Sequence, residues 1–377
     1  MFGSHISNSE FILLVLFAAA AAVQLFYYFF FYIRTAACRN KIVNKEPGPV
    51  SVIICARNEA ENLRSFLPSV LEQDYPDYEV IVVNDCSEDE SDEILKGLSA
   101  KYDKLKVSTI YKESSLRHSK KMALFLGIRA AANELLLLTD ADCRPVSKNW
   151  IRTIAGSFNA NTSFVLGYGG YMKRPGLLNK YIRYDSMFIA MQYSGMALSG
   201  LPYMGVGRNL AYRKSTFLKN KGFGPHLNLQ SGDDDLFVNL LATKENTRVN
   251  LSPESFTRSV PPVTWKRFFM QKIRHMSTAS SYRGLTKFML MLEPLSRIMF
   301  YTIFIILMLT TSLYLPLGIA AGVIIISKFI VYILVQKSLN EKDLLLFSPL
   351  FDIFSPILNA YFLINVAFNR HQYYEWK

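Results

Sequence analysis

A long apolar segment near the start of the chain is the first feature of its hydrophobic pattern. Phe11 to Ile33 contains no charged residue and is long enough to cross a bilayer as a helix. The short tail before it, residues 1–10, lacks the basic start of a signal peptide. The pattern therefore predicts a retained transmembrane anchor at residues 11–33.

Further apolar segments lie towards the other end. The region from Ile298 to Val335 is interrupted at residues 315–318 by Leu-Pro-Leu-Gly. This pattern predicts two spans joined by a tight turn, at residues 298–315 and 317–335.

The last apolar stretch, residues 344–368, is broken by Pro349, Asp352 and Pro356. It predicts either a third C-terminal span or an interfacial helix followed by a span. A carboxylate within a membrane is costly unless it faces protein or water, so Asp352 is expected to have such surroundings.

Between the apolar ends, residues 49–260 alternate short apolar runs with segments of helical spacing. The runs predict strands at residues 50–55, 79–84, 107–111 and 134–139. Helices are predicted from Glu59 to Leu71, after Ser87, and from Lys120 to Ala132. Such alternation predicts an α/β domain with a mainly parallel sheet and right-handed crossovers.

Charge and composition favour membrane contact. The chain has 27 Phe, 21 Tyr and a net charge of +12, and many basic residues flank the apolar segments. This distribution indicates attraction to an anionic membrane surface and argues against nucleic acid as the partner. The flanking set comprises Arg267, Lys272, Arg274, Arg283, Lys287 and Arg297.

A second basic group directly follows the first apolar segment and consists of Arg34, Arg39, Lys41 and Lys45. By the positive-inside rule, this group places residues 49–260 in the cytoplasm. In a bacterium, the chain would then be an integral protein of the inner membrane.

Polar clusters follow three of the predicted strands, at residues 56–59, 84–87 and 139–142. The carboxyl ends of neighbouring parallel strands form the ligand-binding edge of an open α/β sheet. Asp140 and Asp142 alternate with Ala141, so both carboxylates lie on one side of an extended segment, as a hard divalent cation requires. The alternatives are a polar strand exit for this pair and helix capping for Asp85.

In order and spacing, these three clusters resemble the nucleotide-binding half of family 2 glycosyltransferases, which are inverting enzymes with an A-type glycosyltransferase fold. The resemblance extends from Pro49 to about Arg283. It implies a Rossmann-like domain in which Ala56, Arg57 and Glu59 contact the nucleoside and Asp85 binds the uracil end. It further implies that Asp140 and Asp142 hold the diphosphate and a divalent cation, Mg²⁺ or Mn²⁺.

Two more segments extend the resemblance. Ser119-Lys-Lys-Met-Ala-Leu124 is similar to a family segment whose Lys approaches the diphosphate, which implicates Lys120, although Ser119 replaces the usual Gly. The alternative is a solvated helix start. The Gly-rich segment 204–212 is similar to one beside the donor sugar. Here Arg208 is expected on the nucleotide-sugar and Gly205 and Asn209 on the acceptor; the alternative is a loop packed beneath the sheet.

An acidic segment supplies the candidate base. Ser231-Gly-Asp-Asp-Asp-Leu236 resembles the family's Glu-Asp-x-x-Leu motif, with Gly232 where Glu is usual. Inverting transfer needs one base to take the proton of the attacking hydroxyl. Measured back from Leu236, Asp233 has this position, and Asp234 is the alternative. The alternative is that this segment is a solvated acidic turn with no catalytic role.

The last motif, Gln271-Lys-Ile-Arg-His275, lies in an amphipathic segment at residues 261–290 that is expected on the bilayer surface. It resembles the Gln-x-x-Arg-Trp motif of membrane-embedded family members, in which Gln and Arg contact the diphosphate and Trp lines the acceptor site. Gln271 and Arg274 match this motif. His275 replaces the Trp and is expected to contact the acceptor by hydrogen bonding.

Together these features predict metal-dependent, inverting transfer of a sugar from a nucleotide-diphosphate sugar, by resemblance a UDP-sugar. The acceptor would be a hydroxyl of a lipid, a lipid-linked glycan or a growing polysaccharide near the membrane, and the further expected partners are members of a glycan assembly machine. One alternative is a processive polysaccharide synthase that extrudes its product. Another, from a different class, is a non-catalytic nucleotide-binding membrane scaffold.

Overall fold

The computed structural model describes residues 7–38, 44, 47–111, 119–224, 229 and 231–368. Most of the predicted N-terminal tail, residues 1–6, lies outside the described residues. So do Arg39, Lys41 and Lys45, three members of the basic group after the first apolar segment.

Ten strands in the described residues form two sheets. The strands are β1 Val50–Ala56, β2 Tyr78–Asp85, β3 Leu105–Ile110, β4 Leu135–Asp140, β5 Cys143–Pro145, β6 Phe164–Leu166, β7 Gly169–Tyr171, β8 Leu210–Arg213, β9 Thr247–Val249 and β10 Thr257–Ser259. The large sheet has the order β3-β2-β1-β4-β8-β6-β9, and the small sheet has the order β5-β10-β7.

The helices cover both faces of the large sheet and extend into the apolar ends of the chain. They are α1 Asn8–Ala37, α2 Ala60–Leu71, α3 Ser91–Lys101, α4 Lys120–Ala130, α5 Trp150–Ala155, α6 Leu177–Leu198, α7 Lys214–Lys219, α8 Asp235–Leu241, α9 Trp265–Met276, α10 Gly284–Thr310, α11 Tyr314–Ser338 and α12 Ser348–Phe368.

The first four strands confirm the predicted α/β fold. β3, β2, β1 and β4 run parallel and are connected through α2, α3 and α4. Apolar side chains fill both faces of β1, β2 and β4, because helices cover the sheet on each side. β8 is antiparallel to both of its neighbours, β4 and β6, whereas β6 and β9 run parallel, so the sheet is mixed.

Four helices in the described part of the chain, α1, α10, α11 and α12, are long and apolar enough to cross a membrane. The chain thus combines an α/β domain with candidate membrane helices at both ends. Three of these helices share one apolar core, to which α12 contributes no buried residue. Its members are Phe17, Ala20, Ala21, Phe300, Ile303, Leu307, Leu317, Ala321 and Ile324.

The turn between α10 and α11 lies earlier than the sequence predicts. α10 already begins at Gly284 and ends at Thr310, and α11 begins at Tyr314, so residues 315–318 are helical. Pro316 is accommodated in the first turn of α11, where backbone N–H groups have no partner within the helix. The predicted spans at 298–315 and 317–335 therefore need corrected bounds.

The C-terminal apolar stretch forms a single continuous helix, α12, despite Pro349 and Pro356. This helix packs against the α/β domain and α9. Phe351 contacts the ring of Tyr181 in α6 at 5.2 Å between centroids, and Phe362 contacts Phe269 in α9 at 5.1 Å. These contacts join α12 to α6 and α9.

α1 is longer than a membrane span requires. Its 30 residues extend over about 45 Å, compared with about 30 Å of hydrocarbon. Its last turns, including a π-helical stretch at Tyr27–Tyr32, pack against α6 of the α/β domain. Gly195 allows this approach, since a Cβ there would lie 2.5 Å from the carbonyl oxygen of Phe31.

A buried ionic network joins the candidate membrane helices. Asp352 of α12 accepts a hydrogen bond from Lys328 Nζ of α11 at 2.6 Å and from Arg297 Nη1 of α10 at 3.0 Å. Arg297 also pairs with Glu293 at 3.1 Å. Three tyrosine hydroxyls complete the surroundings of Asp352, from Tyr28, Tyr301 and Tyr332. Asp352 faces protein, which satisfies the condition set by the sequence.

The network predicts that charge balance matters more than any single pair. Asp352→Asn would leave Lys328 and Arg297 with only Glu293 as counter-charge and should destabilise the protein by about 3–5 kcal/mol. Combining it with Lys328→Met restores neutrality and should recover part of that loss. Melting curves of the detergent-solubilised protein, followed by tryptophan fluorescence, test this. A double variant that melts below Asp352→Asn would contradict it.

Candidate active site

Three predicted polar clusters meet at one edge of the large sheet. Ala56 at the end of β1 is in register with Asn84 of β2, and Cys55 is in register with Asp140 of β4. The carboxyl ends of the three strands are therefore side by side, with Asp85 fully buried next to them. The structure brings together the residues that the sequence assigned to the nucleotide.

Hydrogen bonds connect the loops after β1 and β2. The N–H of Asn58 donates to Ser87 Oγ at 2.9 Å, and the N–H of Glu88 donates to Asn58 Oδ1 at 2.8 Å. Asn58 adopts a left-handed φ of 53°, which Asn tolerates better than most residues. Arg57 and Glu59 are partly buried in this loop, and Glu59 accepts a hydrogen bond from Asn62. The sequence analysis did not identify Asn58 as the link.

Lys120 lies at the centre of the site and not on a solvated helix start. Its Nζ is 2.8 Å from Asp140 Oδ1 and 3.4 Å from Asp233 Oδ2. Ser119 caps α4 by accepting the N–H of Met122 at 3.2 Å, so the residue that replaces Gly still begins the helix. Burial lowers the pKa of Lys120, but the charges of Asp140 and Asp233 outweigh it and hold this pKa well above its usual value.

The carboxylate of Asp142 is hydrogen-bonded to a residue of the small sheet. Its Oδ2 accepts a hydrogen bond from Ser259 Oγ at 3.0 Å, and its Oδ1 accepts one from Cys143 Sγ at 3.2 Å. Ligand atoms of Asp140, Asp142 and Cys143 all lie within 4.8 Å of one another. Burial, together with the charge of Asp140, raises the pKa of Asp142.

This donor set fits a divalent cation. Two carboxylates are the ligands that Mg²⁺ and Mn²⁺ prefer, and their mutual repulsion is relieved by a cation between them. Burial and the charge of Asp142 raise the pKa of the Cys143 thiol well above its usual value, so the thiol stays protonated. Cys143 thus acts as a hydrogen-bond donor to Asp142.

The three acidic residues that begin α8 have different surroundings. Asp233 is 6% exposed and faces Lys120. Asp234 accepts the N–H of Gly207 at 2.6 Å, whereas Asp235 accepts hydrogen bonds from Thr278 and Tyr282. Asp235 therefore anchors the chain that follows α9. The segment is buried and is not a solvated turn.

Backbone conformation explains the departure at residue 232. Gly232 has a φ of 97°, which favours glycine over the Glu expected from the motif. A Cβ at this position would also lie 2.5 Å from Leu236 Cδ1. The turn into α8 thus requires glycine.

Two predictions for the Gly-rich segment need correction. Asn209 is fully buried, and its amide donates to the carbonyl oxygens of Tyr168 and Ser255 while accepting from Trp150 Nε1. Its side chain holds the loop and does not face an acceptor. Gly205 is also buried, and Leu210 packs so closely against it that a Cβ at residue 205 would lie 2.7 Å from Leu210 Cδ1.

Gly207 is the glycine of this segment that lies in the site, and the sequence analysis missed it. A Cβ at Gly207 would lie 3.3 Å from Asp234 Oδ2 and 3.6 Å from Lys120 Nζ. Its N–H is the donor to Asp234. The glycine spacing of the segment was the available signal, but only the short 3₁₀ turn at Gly207–Asn209 decides which glycine faces the site.

Beside the carboxylates, a cavity of about 40 Å³ brings Arg208, Gln271 and His275 together. The guanidinium of Arg208 stacks on the ring of Tyr171 at 4.2 Å, and among the described residues its Nη1 has no hydrogen-bond partner. Gln271 Oε1 accepts a hydrogen bond from the Tyr171 hydroxyl at 3.3 Å. The cavity therefore offers an unpaired cationic donor to an anionic or hydroxyl-rich ligand.

Two further basic residues of α9, Lys272 and Arg274, affect the site without being part of the cavity's donor group. Lys272 pairs with Asp185 at 2.9 Å and fixes α9 against α6 beside the cavity, a contact that the sequence did not suggest. Arg274 does not line the cavity. Burial raises the pKa of Asp140, but the charge of Lys120 outweighs burial and lowers this pKa, and the charge of Arg274 acts in the same direction.

The crowded carboxylates predict a pH effect on stability. Burial, followed by the charges of Asp233 and Asp235, raises the pKa of Asp234 to about 7. An unfolded Asp ionises near pH 4, so between roughly pH 4 and 7 the folded state binds more protons and stability from this group falls as pH rises. Asp234→Asn keeps an oxygen for Gly207 and should raise the melting temperature more at pH 8 than at pH 5.

The exposed Asp103 provides the matched control, since Asp103→Asn should change neither melting temperature. A larger gain for Asp234→Asn at pH 5 than at pH 8 would contradict the assigned pKa shift.

Comparison with known proteins gives relatives for most of the chain. The 26% identical relative described as "Probable glycosyltransferase YdaM" of Bacillus subtilis matches over 239 residues, 61% of this chain and 55% of its own length. "Glycosyltransferase AglE" of Haloferax volcanii is 34% identical over 32% of this chain and 41% of its own length. A poly-beta-1,6-N-acetyl-D-glucosamine synthase of Staphylococcus epidermidis is 31% identical over 25% of this chain and 21% of its own. The chain thus spans about half or less of the curated relatives it matches.

Among solved structures, the mannosyltransferase PcManGT from Pyrobaculum calidifontis, determined in complex with GDP-Man and Mn²⁺, is similar in fold. The TM-score is 0.58 at 17% identity, over 92% of this chain and 99% of that one.

Family models agree with these relatives. The model "Glycosyl transferase family 2" matches residues 51–217, which include the three polar clusters and Lys120. The model "Glycosyl transferase family group 2" matches residues 135–364, more than half of the chain, from β4 into α12. The chain therefore belongs to the family 2 glycosyltransferases.

Proposed function

We propose that this membrane glycosyltransferase transfers a sugar, with inversion, from a nucleotide-diphosphate sugar to a hydroxyl held at the membrane surface. The observation that carries the proposal is the position of Lys120 between Asp140 and Asp233. One ammonium group connects the carboxylates assigned to the leaving group with the carboxylate assigned to the acceptor proton. Both parts of the reaction would thus take place within a few ångströms.

The donor side consists of three groups of residues. Ala56, Arg57, Glu59 and Asp85 would contact the nucleoside at the ends of β1 and β2. Asp140 and Asp142 would hold a divalent cation, which neutralises charge on the departing diphosphate when bound. Lys120, Arg208, Gln271 and Arg274 would bind the diphosphate and the sugar. The resemblance favours UDP as the nucleotide, and GDP is the second candidate because PcManGT was solved with GDP-Man.

The acceptor side begins at Asp233. Its carboxylate would take the proton of the acceptor hydroxyl as the hydroxyl oxygen bonds to the anomeric carbon and the diphosphate departs from the opposite face. Lys120 remains protonated and would pass from Asp233 to the diphosphate, which leaves Asp233 able to accept a proton. Asp234, with its raised pKa, is the alternative base and otherwise positions Gly207.

The membrane surface supplies the acceptor in this proposal. On α9, Trp265 and Met270 are 42% and 44% exposed, and Lys266 and Arg267 are exposed beside them. Apolar and basic side chains together suit the interface of an anionic bilayer. His275 on the same helix borders the cavity, so a lipid or lipid-linked glycan would reach the site from the bilayer. We place this side in the cytoplasm, following the positive-inside rule.

A processive synthase is the second candidate, supported by the partial match to the poly-N-acetylglucosamine synthase. Four candidate membrane helices in the described chain, one of them packed against α9, provide little material for a polymer channel. This favours single addition, whether the enzyme acts alone or with partners in a glycan assembly machine. The chain length of the product distinguishes the two.

Release of nucleoside diphosphate tests the function. Purified full chain would be incubated with UDP- or GDP-sugars, Mn²⁺ or Mg²⁺, and a membrane extract as acceptor source. We expect metal-dependent release with one nucleotide class. Asp233→Asn should lower kcat by about 10²- to 10⁴-fold while nucleotide binding is kept, because only proton transfer is lost. Asp142→Asn should remove the metal dependence together with activity.

Glu90→Gln is the control, since the Glu90 side chain is exposed and pairs with the exposed Arg64, and it should retain full activity. Full turnover in Asp233→Asn would shift the base to Asp234. Nucleotide binding without release for every donor and acceptor would favour the non-catalytic scaffold.

A further inference from the structure

Glu341 is a buried carboxylate outside the site, in the connection between α11 and α12. α11 ends at Ser338, two residues before Asn340, whose left-handed φ of 58° turns the chain inward, as is common after helices. Glu341 is fully buried and accepts hydrogen bonds from Arg183 Nε at 2.9 Å and from the Tyr168 hydroxyl at 3.0 Å. Arg258 Nη1 also donates to it. One side chain of the apolar C-terminal region thus contacts three residues of the α/β domain.

Arg258 connects this carboxylate with Asp142. It belongs to β10, the central strand of the small sheet, and directly precedes Ser259, whose hydroxyl donates to Asp142 Oδ2 at 3.0 Å. The N–H of Val260, the next residue, donates to the carbonyl oxygen of Asp142 at 3.1 Å. β10 thus fixes both the backbone and the side chain of Asp142.

The position of Arg258 is closely defined. Its Nη2 donates to the carbonyl oxygen of Leu339 at the end of α11, at 3.2 Å. On its other side it packs over Gly170 of β7, where any Cβ would clash with Nη1. Arg258 therefore fits between β7 and the end of α11 only because residue 170 is glycine.

The ion pair with Glu341 also helps to fix the position of Arg258. Glu341 faces two guanidinium groups in a fully buried position, and buried charges are stable only in geometries that satisfy their hydrogen bonds. Asp343 binds only the α6 side of the cluster, through Arg183 at 2.6 Å and Lys173 at 2.7 Å, and its side chain is 42% exposed. Asp343 thus shares Arg183 with Glu341 but does not touch Arg258.

We propose that Glu341 is a positioning residue for Asp142, acting through Arg258 and Ser259. The C-terminal apolar region would thereby set the geometry of the cation site in the α/β domain. This inference rests on the proposed function in one respect, that Asp142 holds a divalent cation.

Binding of Mn²⁺ to the detergent-solubilised full chain, measured by electron paramagnetic resonance with UDP or GDP present, tests the inference. Glu341→Gln should weaken Mn²⁺ binding by about tenfold, the size of effect that partners behind a metal ligand have. Gly170→Ala, which displaces Arg258 without removing a charge, should act in the same direction. Asp343→Asn is the matched control and should bind Mn²⁺ like the wild type.

A purely structural role is excluded by two further measurements. Metal-free binding of the nucleotide should be unchanged in Glu341→Gln, because the hydrogen-bond partners of Glu341 are Tyr168, Arg183 and Arg258, which lie outside the loops after β1 and β2. Adding Ser259→Ala to Glu341→Gln should give no further loss, since both act on Asp142 through β10.

The outcomes separate the inference from the function. If Asp142→Asn weakens Mn²⁺ binding while Glu341→Gln and Gly170→Ala do not, the positioning role is wrong and the cation site stands. If Asp142→Asn binds Mn²⁺ like the wild type, the cation assignment itself fails. Equal loss of metal-free nucleotide binding and Mn²⁺ binding in Glu341→Gln would show general destabilisation and overturn the inference.

Discussion

The ammonium group of Lys120 is the constraint on which the site depends. Asp140 and Asp142 at the end of β4 and Asp233 and Asp234 before α8 converge from two segments into one poorly solvated region, where like charges repel strongly. Lys120 counters this repulsion by contacting Asp140 and Asp233 at once. A cation and a diphosphate entering the site would take over that role. The arrangement explains why a site for an anionic donor is itself built from acids.

Buried polar contacts also make the membrane helices and the α/β domain one unit. Asp352 connects α12 with α1, α10 and α11, and Glu341 connects the end of α11 with α6 and β10. In an apolar environment such groups must find partners, so each of them fixes the helices that supply those partners. The segment after α11 is thus more than a membrane anchor, because Glu341 near its beginning contacts Arg258 of the small sheet that holds Asp142.

Local pattern predicted the first half of the fold and the meeting of the polar strand ends. Apolar runs buried on both faces identified β1, β2 and β4, and their polar ends met as parallel strands require. Contacts between distant segments could not be predicted, since nothing local marks Ser259 as the partner of Asp142 or Arg183 as the partner of Glu341. Asn209 was misassigned because its motif is recognisable, whereas the direction of its side chain depends on a turn whose geometry the sequence does not state.

A structure of the full chain with Mn²⁺ and UDP or GDP tests the account most directly. We expect that structure to show Mn²⁺ bound to the carboxylates of Asp140 and Asp142, with the diphosphate in contact with this ion. The ammonium of Lys120 should have moved from Asp233 to a diphosphate oxygen. Nucleotide and metal bound elsewhere, with Lys120 still between Asp140 and Asp233, would contradict it.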